Sequence, residues 1–317
     1  MRITSHNTGQ LPTNGVDDSK YEELFLAMKK YQTNILLIQE PNTNWSKIPR
    51  KHQMQKRAEL HLGPYQTRAI TSHNRRDKIQ EKRQYGGTAI ISHGKVASYS
   101  MGAGRDDSQL GRWTWTRYRG KNNQTMRTIS IYRPCASQGP TSTYAQQKEH
   151  LQSQNDDRDP RDAMLQDLDQ ALTKWKDEGD HIIVGGDLNQ DIFHHDIQNL
   201  LNKHDLRNLL LDRHNANTIP ASFFRNNNQT VIDGLFGSPG IKVKRCGLLE
   251  RGDFPSDGHS SIWADITYDS VLGHSPTNPY IYEARRLQLY NKPVVKKYRK
   301  LAIQYLTQAN VFSRQYR

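Results

Sequence analysis

The sequence has too few cysteines, and no apolar run long enough, for several common classes of protein. Only two of its 317 residues are cysteine, Cys135 and Cys246, which is too few for a disulfide framework, and their spacing is unlike that of paired metal ligands. No stretch approaches the roughly 18 consecutive apolar residues of a membrane helix. The residues after Met1 lack the apolar region of a secretory signal. These absences favour an intracellular protein that has no membrane partner.

Acidic residues are scarce in two parts of the chain, whose net charge is +13. Residues 46–85 hold 11 Lys and Arg against 3 acids, and residues 280–317 hold 9 against 1. The net charge of these two segments together is larger than that of the whole chain, so the remaining residues are slightly acidic. One such segment fits a solubilising surface equally well. Two of them, with tyrosines among the basic residues, predict a nucleic acid partner, DNA or RNA, and we expect an intracellular, nuclear location.

What the sequence does have is an alternation of apolar β-like runs and helical patterns, which predicts a layered α/β or α+β domain. The predicted strands are residues 2–6, 34–39, 88–93, 95–100, 112–119, 126–132, 181–186 and 260–267. Helices are predicted over residues 18–31 and from Pro160 onward, with a loop or frayed helix over 136–159. After Asp269 the composition becomes rich in Pro, Tyr and Lys. We therefore divide the chain into a domain of residues 1–269 and a basic tail of residues 270–317.

Acidic residues stand where two of the predicted strands end. Glu40 follows the apolar run 35–38, and Asp187 follows 182–184 within Gly-Gly-Asp-Leu-Asn, where Asn189 is the last residue. Loops at the ends of strands are where sheets gather catalytic groups. Taken alone, Glu40 also fits a helix-cap or edge carboxylate, and Asp187 fits an Asx turn.

A further acid lies inside an apolar run. Asp233 is the carboxylate of the run 230–236 (TVIDGLF), and a buried acid requires a partner. His259 is a candidate because an aspartate fixes the tautomer of an imidazole and raises its basicity. The pair could activate a water molecule or hold a phosphate oxygen, whereas either residue alone fits a structural role.

This set of residues suits the hydrolysis of a phosphodiester. That reaction requires a cation near the phosphoryl oxygens, an activated water and donors that hold the phosphate. Magnesium prefers carboxylate oxygens and retains several waters, so one or two acids suffice to bind it. The residues therefore predict a metal-dependent phosphodiesterase that uses magnesium, or manganese in its place.

Short motifs in a particular order resemble those of the endonuclease/exonuclease/phosphatase superfamily, which includes apurinic/apyrimidinic endonucleases, pancreatic-type deoxyribonucleases, sphingomyelinases and inositol polyphosphate phosphatases. The similarity covers about residues 2–266. The motifs are Ser5-His6-Asn7-Thr8-Gly9, Leu37-Ile38-Gln39-Glu40-Pro41, Gly86-Gly87-Thr88-Ala89-Ile90, Ile131-Tyr132-Arg133-Pro134, Gly186-Asp187-Leu188-Asn189, Ile232-Asp233-Gly234-Leu235 and Ser256-Asp257-Gly258-His259. Most are weak patterns individually, but all of them together in order are a specific signal.

The resemblance implies a fold and a set of roles. The fold would be α/β, a two-sheet β-sandwich flanked by helices, with the site at one edge and the basic tail following it. Glu40 would bind the catalytic magnesium with Asn7 beside it. Asp257 would be a further residue near the metal. Asn7, Asn189 and Arg133 would contact the substrate.

The same resemblance implies the catalytic groups. Asp187 would align or deprotonate the attacking water, and Asn189 would hydrogen-bond the phosphate. Tyr132 would face the scissile phosphate. His259 would contact a phosphate oxygen and Asp233 would orient it. Asp187 and His259 remain competing candidates for the general base.

The sequence departs from the family pattern at two glycines. The usual terminal motif is Ser-Asp-His, but here Gly258 separates Asp257 from His259, which puts the role of Asp257 near the metal in question. Gly9 stands where the family carries a further polar residue, two positions after Asn7. Both departures are compatible with reduced activity.

Three hypotheses for function follow. The first is a DNA endonuclease, because the tail is similar to the linker that follows the endonuclease domain of non-LTR retrotransposon proteins. The second is a hydrolase of a small phosphoester that uses the same site. The third is a catalytically impaired module that binds nucleic acid. A zinc-type site at His181, His194 and His195 is disfavoured because completing ligands at zinc spacing are absent.

Overall fold

Two six-stranded β-sheets stack face to face, and helices cover both outer faces. The computed structural model describes residues 1–14, 18–78, 81–137, 139–226, 228–256, 258–274 and 291–308. The chain divides into two compact units, Met1–Ser275 and Pro276–Arg317. The described part of the second unit contains one helix.

The helices alternate with the strands along the chain. They are α1 (Ser19–Lys30), α2 (Met54–Leu62), α3 (Lys95–Ser98), α4 (Thr143–Ser153), α5 (Pro160–Asp177), α6 (His195–Lys203), α7 (Leu209–His214) and α8 (Tyr268–Leu272) in the first unit and α9 (Lys292–Gln308) in the second. Short 3₁₀ turns occupy Trp45–Lys47, Arg50–His52 and Pro64–Gln66. Within the described ranges, no helix combines the length and apolar character needed to cross a membrane.

Each sheet is mixed, with one parallel pair at its centre. In spatial order, the first sheet contains β13 (Val243–Leu248), β14 (Ile262–Ile266), β1 (Arg2–Asn7), β2 (Thr33–Gln39), β4 (Thr88–His93) and β3 (Thr67–Ser72). The second contains β5 (Ser100–Arg105), β6 (Trp113–Arg119), β7 (Thr125–Tyr132), β8 (Asp180–Asp187), β12 (Asp233–Gly237) and β9 (Arg207–Asn208). A separate hairpin is formed by β10 (Phe223–Arg225) and β11 (Asn228–Thr230).

Strand β2 shows why the core has four layers. Its continuous apolar run is buried on both faces, as such runs are in central strands. Ile35 and Leu37 join the cluster between the sheets, whereas Leu36 and Ile38 join the cluster beneath α1 and α2. On the other side of the molecule, α5 and α6 cover the second sheet. Both sheets are therefore shielded from water on two faces.

Polar contacts between the sheets lie close to the ends of the parallel strands. Gln39 Nε2 donates to Ser130 Oγ at 2.9 Å, and Ser130 Oγ donates to the Ile38 carbonyl at 2.8 Å. These buried bonds connect β2 to β7 directly. Because hydrogen bonds are directional, they hold the two sheets in one relative position at the edge where both parallel pairs end.

The sheets also approach closely at Gly185 of β8. A Cβ atom there would lie 2.7 Å from Leu37 Cδ1 and 3.0 Å from Ser5 Cβ on the opposite sheet. The absence of a side chain therefore lets β8 lie against β1 and β2. The strand that ends at Asp187 is thus brought next to the strands that end at Asn7 and Glu40.

Most of the predicted elements are confirmed, including the helix that begins at Pro160. Two tryptophans of β6 pack in the structure, since Trp113 is buried and Trp115 contacts Trp175. The predicted strand over residues 95–100 is wrong. Gly94 has a φ of 77°, and the chain forms α3 as it passes from the first sheet to the second, burying Val96 and Ala97.

Two polar stretches contain more regular structure than their composition indicates. Residues 136–159 contain α4, which Ser142 caps by accepting a bond from the Ala145 amide. The basic segment 46–85 contains α2 and β3, and β3 pairs with β4 at the edge of the first sheet. The segment therefore contributes an edge strand to the first sheet. The division at residues 269 and 270 stays a prediction.

Gly185→Ala is expected to lower the free energy of unfolding by about 1–3 kcal/mol, because the added methyl overpacks the space between the sheets. Urea unfolding followed by tryptophan fluorescence measures the change. Gly102→Ala in β5 is the matched control, since its Cβ would meet no heavy atom closer than Trp115 Cζ3 at 3.9 Å. Equal losses of stability in the two variants would contradict this account of Gly185.

Candidate active site

The candidate site lies at the end of the sandwich where the two parallel strand pairs finish. In the first sheet, Asn7 is paired in register with Gln39, so Glu40 is the next residue along that edge. In the second sheet, Asp187 is opposite Tyr132 on one side and Asp233 on the other. Strand pairing thus brings together polar residues that are far apart in the sequence.

Glu40 adopts an unusual backbone conformation just after β2. Its φ is 49°, in the left-handed region that a glutamate rarely occupies. The surrounding structure maintains this conformation, since the Glu40 amide donates to the Gly87 carbonyl at 3.2 Å and Glu40 Oε1 accepts from the Tyr132 hydroxyl. Backbone strain of this kind is concentrated at functional sites. Burial raises the pKa of Glu40, and the bond from Tyr132 partly offsets that rise.

Asp187 is buried, and its carboxylate accepts hydrogen bonds from β1 of the first sheet and from its own loop. Asn7 Nδ2 donates to Oδ2 at 2.8 Å, and the Asn189 amide donates to Oδ1 at 2.7 Å. Asn189 has a φ of 47°, which asparagine tolerates better than most residues. Its side chain also donates to the Arg133 carbonyl at 2.8 Å. The Asx turn considered as the alternative interpretation of Asp187 is therefore present, and it holds the carboxylate at the site.

The predicted pair of Asp233 and His259 is present. His259 Nδ1 lies 2.9 Å from Asp233 Oδ2, and both side chains are buried. Carboxylate oxygens of Asp187 and Asp233 and a ring nitrogen of His259 all lie within 4.8 Å of one another. The ring of Phe223 packs on the His259 imidazole, with 4.5 Å between ring centroids. The imidazole is therefore fixed by a hydrogen bond on one side and an aromatic contact on another.

Gly258 is accommodated by the hairpin of β10 and β11. Its φ is 94°, and its carbonyl accepts from the Phe224 amide at 3.0 Å. A Cβ atom at Gly258 would lie 2.6 Å from the Phe224 carbonyl oxygen, so only glycine fits here. The hydrogen bond between Gly258 and Phe224 accommodates the extra residue in the backbone. His259 therefore keeps its hydrogen bond with Asp233. Asp257 lies outside the described residues, so its predicted metal role stays a prediction.

The electrostatics of the site are dominated by carboxylates that repel one another. Burial raises the pKa of Asp187 to about 8, with a further rise caused by Asp233 and Glu40. Burial by itself would lower the pKa of His259, because it disfavours the charged imidazole. The nearby carboxylates of Asp233, Asp187 and Glu40 outweigh this effect and raise the pKa to about 9. Burial, Glu40 and Asp187 also raise the pKa of the Tyr132 hydroxyl well above its ordinary value. The site therefore stabilises added positive charge.

A divalent cation fits this set of donors. Three carboxylates converge here, and burial together with the neighbouring carboxylates keeps the pKa of Glu40 and of Asp187 raised despite the imidazolium of His259. Glu40 has carboxylate oxygens for such an ion, and the Asn7 amide oxygen, which accepts from Gly9 at 2.8 Å, retains a second lone pair. Hard cations prefer oxygen donors of these types.

The structure places Arg133 behind the site. Its side chain is buried, Nε donates to the Arg161 carbonyl at 3.1 Å, and Nη1 donates to Gln190 Oε1. Burial and the neighbouring Arg161 lower its pKa to about 10. These contacts are all internal, and the predicted contact of Arg133 with substrate stays a prediction.

Two residues that support the site were not predicted from the sequence. Arg161 on α5 donates from Nη2 to the Asn189 carbonyl at 3.1 Å, which steadies the loop after Asp187. Ser256 donates to the Asn7 carbonyl at 2.8 Å and accepts from the His259 amide at 3.2 Å. The terminal motif contained a signal for Ser256. No local pattern pointed to Arg161, because its contact depends on how α5 packs.

A second group of possible metal ligands lies at the start of α6. His194 and His195 both approach Asp196, at 3.3 and 3.0 Å, and the ligand atoms of the three residues lie within 4.8 Å of one another. His195 is exposed, and the three residues are consecutive in the chain. His181, the remaining histidine considered from the sequence, lies on β8. The group at α6 is separate from the carboxylates of the candidate active site.

Comparison with known proteins gives one family and one fold. A profile of the Endonuclease/Exonuclease/phosphatase family matches residues 6–257. No curated protein sequence matches the chain significantly.

Several solved structures are similar. They include a variant of the 3′ phosphatase NExo from Neisseria bound to a product DNA hairpin (TM-score 0.55, 17% identity, 84% of this chain and 99% of that chain) and the catalytic domain of Xenopus laevis APE2 (0.59, 14%, 84% and 91%). The endonuclease domain of TRAS1, a telomere-specific non-LTR retrotransposon, is similar as well (0.51, 14%, 84% and 97%). At such identities the likeness shows the fold, which is the two-sheet α/β sandwich predicted from the sequence.

Asp233→Asn is expected to lower the pKa of His259 from about 9 toward or below its ordinary value, because the variant has no carboxylate to favour the imidazolium while burial remains. Histidine NMR titration of the metal-free protein measures it. Protonation would then be lost at lower pH in the variant. His73, whose pKa burial lowers to about 4, is the internal control. An unchanged His259 midpoint would contradict the pairing.

Proposed function

The chain belongs to the endonuclease/exonuclease/phosphatase family, whose members hydrolyse phosphoester bonds, and we propose that it is a magnesium-dependent DNA endonuclease. The observation that carries the proposal is the convergence of Glu40, Asp187 and Asp233 on His259 at one edge of the sandwich. Ligand atoms of Asp187, Asp233 and His259 lie within 4.8 Å of one another, and Glu40 is close enough to raise the pKa of His259, so acidic donors for a cation and an imidazolium for a phosphate occur in one site.

Magnesium would be held by Glu40 and Asn7, with Asp257 as a further candidate ligand. When bound, the ion supplies positive charge to the phosphoryl oxygens. Magnesium retains several waters and therefore needs few protein ligands. That preference agrees with a site that offers one carboxylate and one amide oxygen at the end of β1 and β2.

The remaining polar groups would act on the substrate and the attacking water. Asp187 is held by Asn7 and Asn189 in a fixed orientation, which suits a residue that aligns or deprotonates water. His259 with a proton at each ring nitrogen would bond Asp233 through Nδ1 and a phosphate oxygen through Nε2. The raised pKa of Tyr132 keeps its hydroxyl protonated, and the single proton that it donates to Glu40 Oε1 would be free to turn to the scissile phosphate when Glu40 binds the cation.

DNA is the proposed substrate because positive charge is concentrated in residues 46–85 and 280–317. Helix α9 in the second segment carries Lys292, Lys296, Lys297, Arg299 and Lys300 and no acid. Lys and Arg neutralise backbone phosphates and give affinity without sequence choice. The NExo structure contains product DNA, and the TRAS1 domain is an endonuclease from a retrotransposon. Together with the resemblance of the tail, these similarities support an origin in a retroelement, and a DNA substrate implies a nuclear location.

Glu40→Gln and His259→Ala are each expected to reduce magnesium-dependent nicking of a supercoiled plasmid by about 10²- to 10⁴-fold, because each removes a group that acts on the reacting phosphate or its cation. Glu149→Gln is the matched control, since this acid is exposed on α4. Rates are measured from conversion of supercoiled to open-circular DNA. Nicking that survives both site substitutions would overturn the assigned site, and DNA binding without nicking in the unaltered protein would favour an impaired module.

Glutamine at four basic residues of α9 is expected to weaken DNA binding and to make its salt dependence less steep, by about 0.9 for each phosphate that the variant no longer neutralises. The substituted residues are Lys296, Lys297, Arg299 and Lys300. Fluorescence anisotropy over a series of salt concentrations measures both quantities.

The control changes four lysines on the surface of the first unit to glutamine, namely Lys148, Lys174, Lys176 and Lys203. It removes the same charge from helices α4 to α6 and is expected to leave the salt dependence nearly unchanged. Identical affinity and slope for the α9 variant and the unaltered protein would count against a role of the tail in binding DNA.

A further inference from the structure

A cavity of about 540 Å³ lies at the end of the first sheet that is opposite the candidate active site. Arg2 at the first position of β1 lines it, whereas Asn7 at the last position lies in the candidate active site, and the six residues of the strand span roughly 20 Å. We call this cavity the Lys244 pocket. The side chains on which its chemistry depends are Arg2, Asn34, Lys242, Lys244, Arg245 and Tyr268.

Positive charge dominates the lining of the Lys244 pocket. Asp265 accepts from two guanidinium groups, from Arg2 Nε at 2.9 Å and from Arg245 Nε at 3.1 Å, so its own charge is more than offset. The ammonium groups of Lys242 and Lys244 are exposed and form no ion pair within the part of the chain that the structure describes. In total, four cationic side chains line the pocket against two acidic ones. This excess of two positive charges matches a dianion.

An irregularity in strand pairing brings two of these cations to the same side of β13. Val243 is opposite Ile266 and Arg245 is opposite Asp265, so Lys244 is the extra residue of a bulge. In a regular strand, successive side chains point to opposite faces. Here both Lys244 and Arg245 line one cavity. Bulges re-aim side chains in this way and are frequent next to functional sites.

Strand β2 has a corresponding irregularity at Asn34. Arg2 is paired with Thr33 and Ile3 with Ile35, so Asn34 is the extra residue on β2, and its Oδ1 accepts from the Arg2 amide at 2.8 Å. Both bulges occur at the end of the sheet away from the candidate active site, and the extra residue of each lines the same pocket. Two separate strand pairs thus contribute to one site, which distinguishes it from a chance group of surface lysines.

The rest of the lining suits the organic part of a ligand. Tyr268 packs against the core between the sheets, which gives the pocket an apolar wall. The Lys242 amide donates to Ser270 Oγ at 3.0 Å and the Lys242 carbonyl accepts from the Thr267 amide at 3.0 Å, so the turn before β13 is held against α8. Sites for small molecules range from about 300 to 1,000 Å³, so the volume of this pocket exceeds what a lone phosphate requires.

We propose that the Lys244 pocket binds a small phosphate monoester, about the size of a nucleoside monophosphate, whose phosphate group bonds Lys242, Lys244 and Arg245. A phosphate monoester carries nearly two negative charges at neutral pH, and ionised donors form strong hydrogen bonds with its oxygens. The inference does not rest on the proposed function, because it uses no residue of the candidate active site. A cavity of this size encloses a small molecule, whereas a DNA duplex would contact only its rim.

Acetylation of individual lysines measures occupancy at the pocket itself. The unaltered protein is treated with N-hydroxysuccinimidyl acetate without metal, and mass spectrometry gives the rate at each lysine. Deoxyadenosine 5′-monophosphate is expected to slow acetylation of Lys242 and Lys244 several-fold. Lys148 and Lys174, which are exposed on α4 and α5, are the internal controls and should react at an unchanged rate. Unprotected Lys242 and Lys244, or equal protection by inorganic phosphate at the same concentration, would overturn the proposal.

Substitution of the bulge residue tests its charge. Lys244→Gln is expected to raise the concentration of deoxyadenosine 5′-monophosphate that half-protects Lys242 by roughly tenfold, since one charge-assisted hydrogen bond to the phosphate is lost. Lys244→Arg keeps the charge and should restore most of the affinity. Lys148→Gln, which removes an exposed lysine from α4, is the matched control. Equal shifts in Lys244→Gln and Lys148→Gln would show that only the net charge of the protein matters and would overturn the assigned site.

Two further measurements separate the pocket from the other surfaces that would bind phosphate. Glu40→Gln, at the opposite end of the sheet, should leave the protection of Lys242 unchanged, and loss of protection in that variant would place the ligand in the candidate active site instead. A blunt DNA duplex at equal phosphate concentration should protect Lys242 less than deoxyadenosine 5′-monophosphate does. Stronger protection by the duplex would assign these lysines to a DNA-binding surface and overturn the proposal. Plasmid nicking by Lys244→Gln should equal that of the unaltered protein.

Discussion

The pairing of β8 with its two neighbours is the constraint on which the site depends. It sets Asp187 directly opposite both Tyr132 and Asp233. Two carboxylates in adjacent strands at a buried edge repel each other, and burial together with this repulsion raises the pKa of Asp187. Such an arrangement is stable only with positive charge nearby. His259 provides one such charge, and a divalent cation bound at Glu40 would provide more.

The same constraint explains the polar contacts around the site. Asn7 and Asn189 both donate to Asp187, and each stands where a strand ends and its backbone leaves the ladder. Arg161 then holds the Asn189 carbonyl from the side of α5. These hydrogen bonds come from residues at strand ends and in short loops. They hold in place carboxylates that repel one another. Preorganised polar groups are common at active sites, where they favour catalysis at some cost in stability.

The glycine in the terminal motif shows how a departure in sequence can leave the geometry of a site intact. From the motif alone, an extra residue before His259 is expected to displace either that histidine or Asp257. The contact between His259 and Asp233 is kept because Gly258 takes a conformation with positive φ and bridges to Phe224. That solution requires the hairpin of β10 and β11, which was not predicted from the sequence.

Helices and strands with strong periodicity could be predicted because their side chains carry the pattern of burial in the sequence itself. Strand β2 and helix α5 are examples. Wherever the prediction gave a first or last residue for them, the observed element begins or ends within one or two residues of it. Helix α4 and strand β3 could not be predicted in this way. Their few buried side chains are spaced among polar ones, and their stability comes from packing on neighbouring elements.

For the candidate site, the sequence by itself determined which residue types stand at the strand ends, and the order of the motifs pointed to Glu40, Asp187 and His259. Only the tertiary structure decided which of these meet. Asp233 and His259 are 26 residues apart, and Asn7 and Asp187 are 180 apart. Such contacts depend on strand register and on the spacing between the sheets, which arise from packing across the whole core.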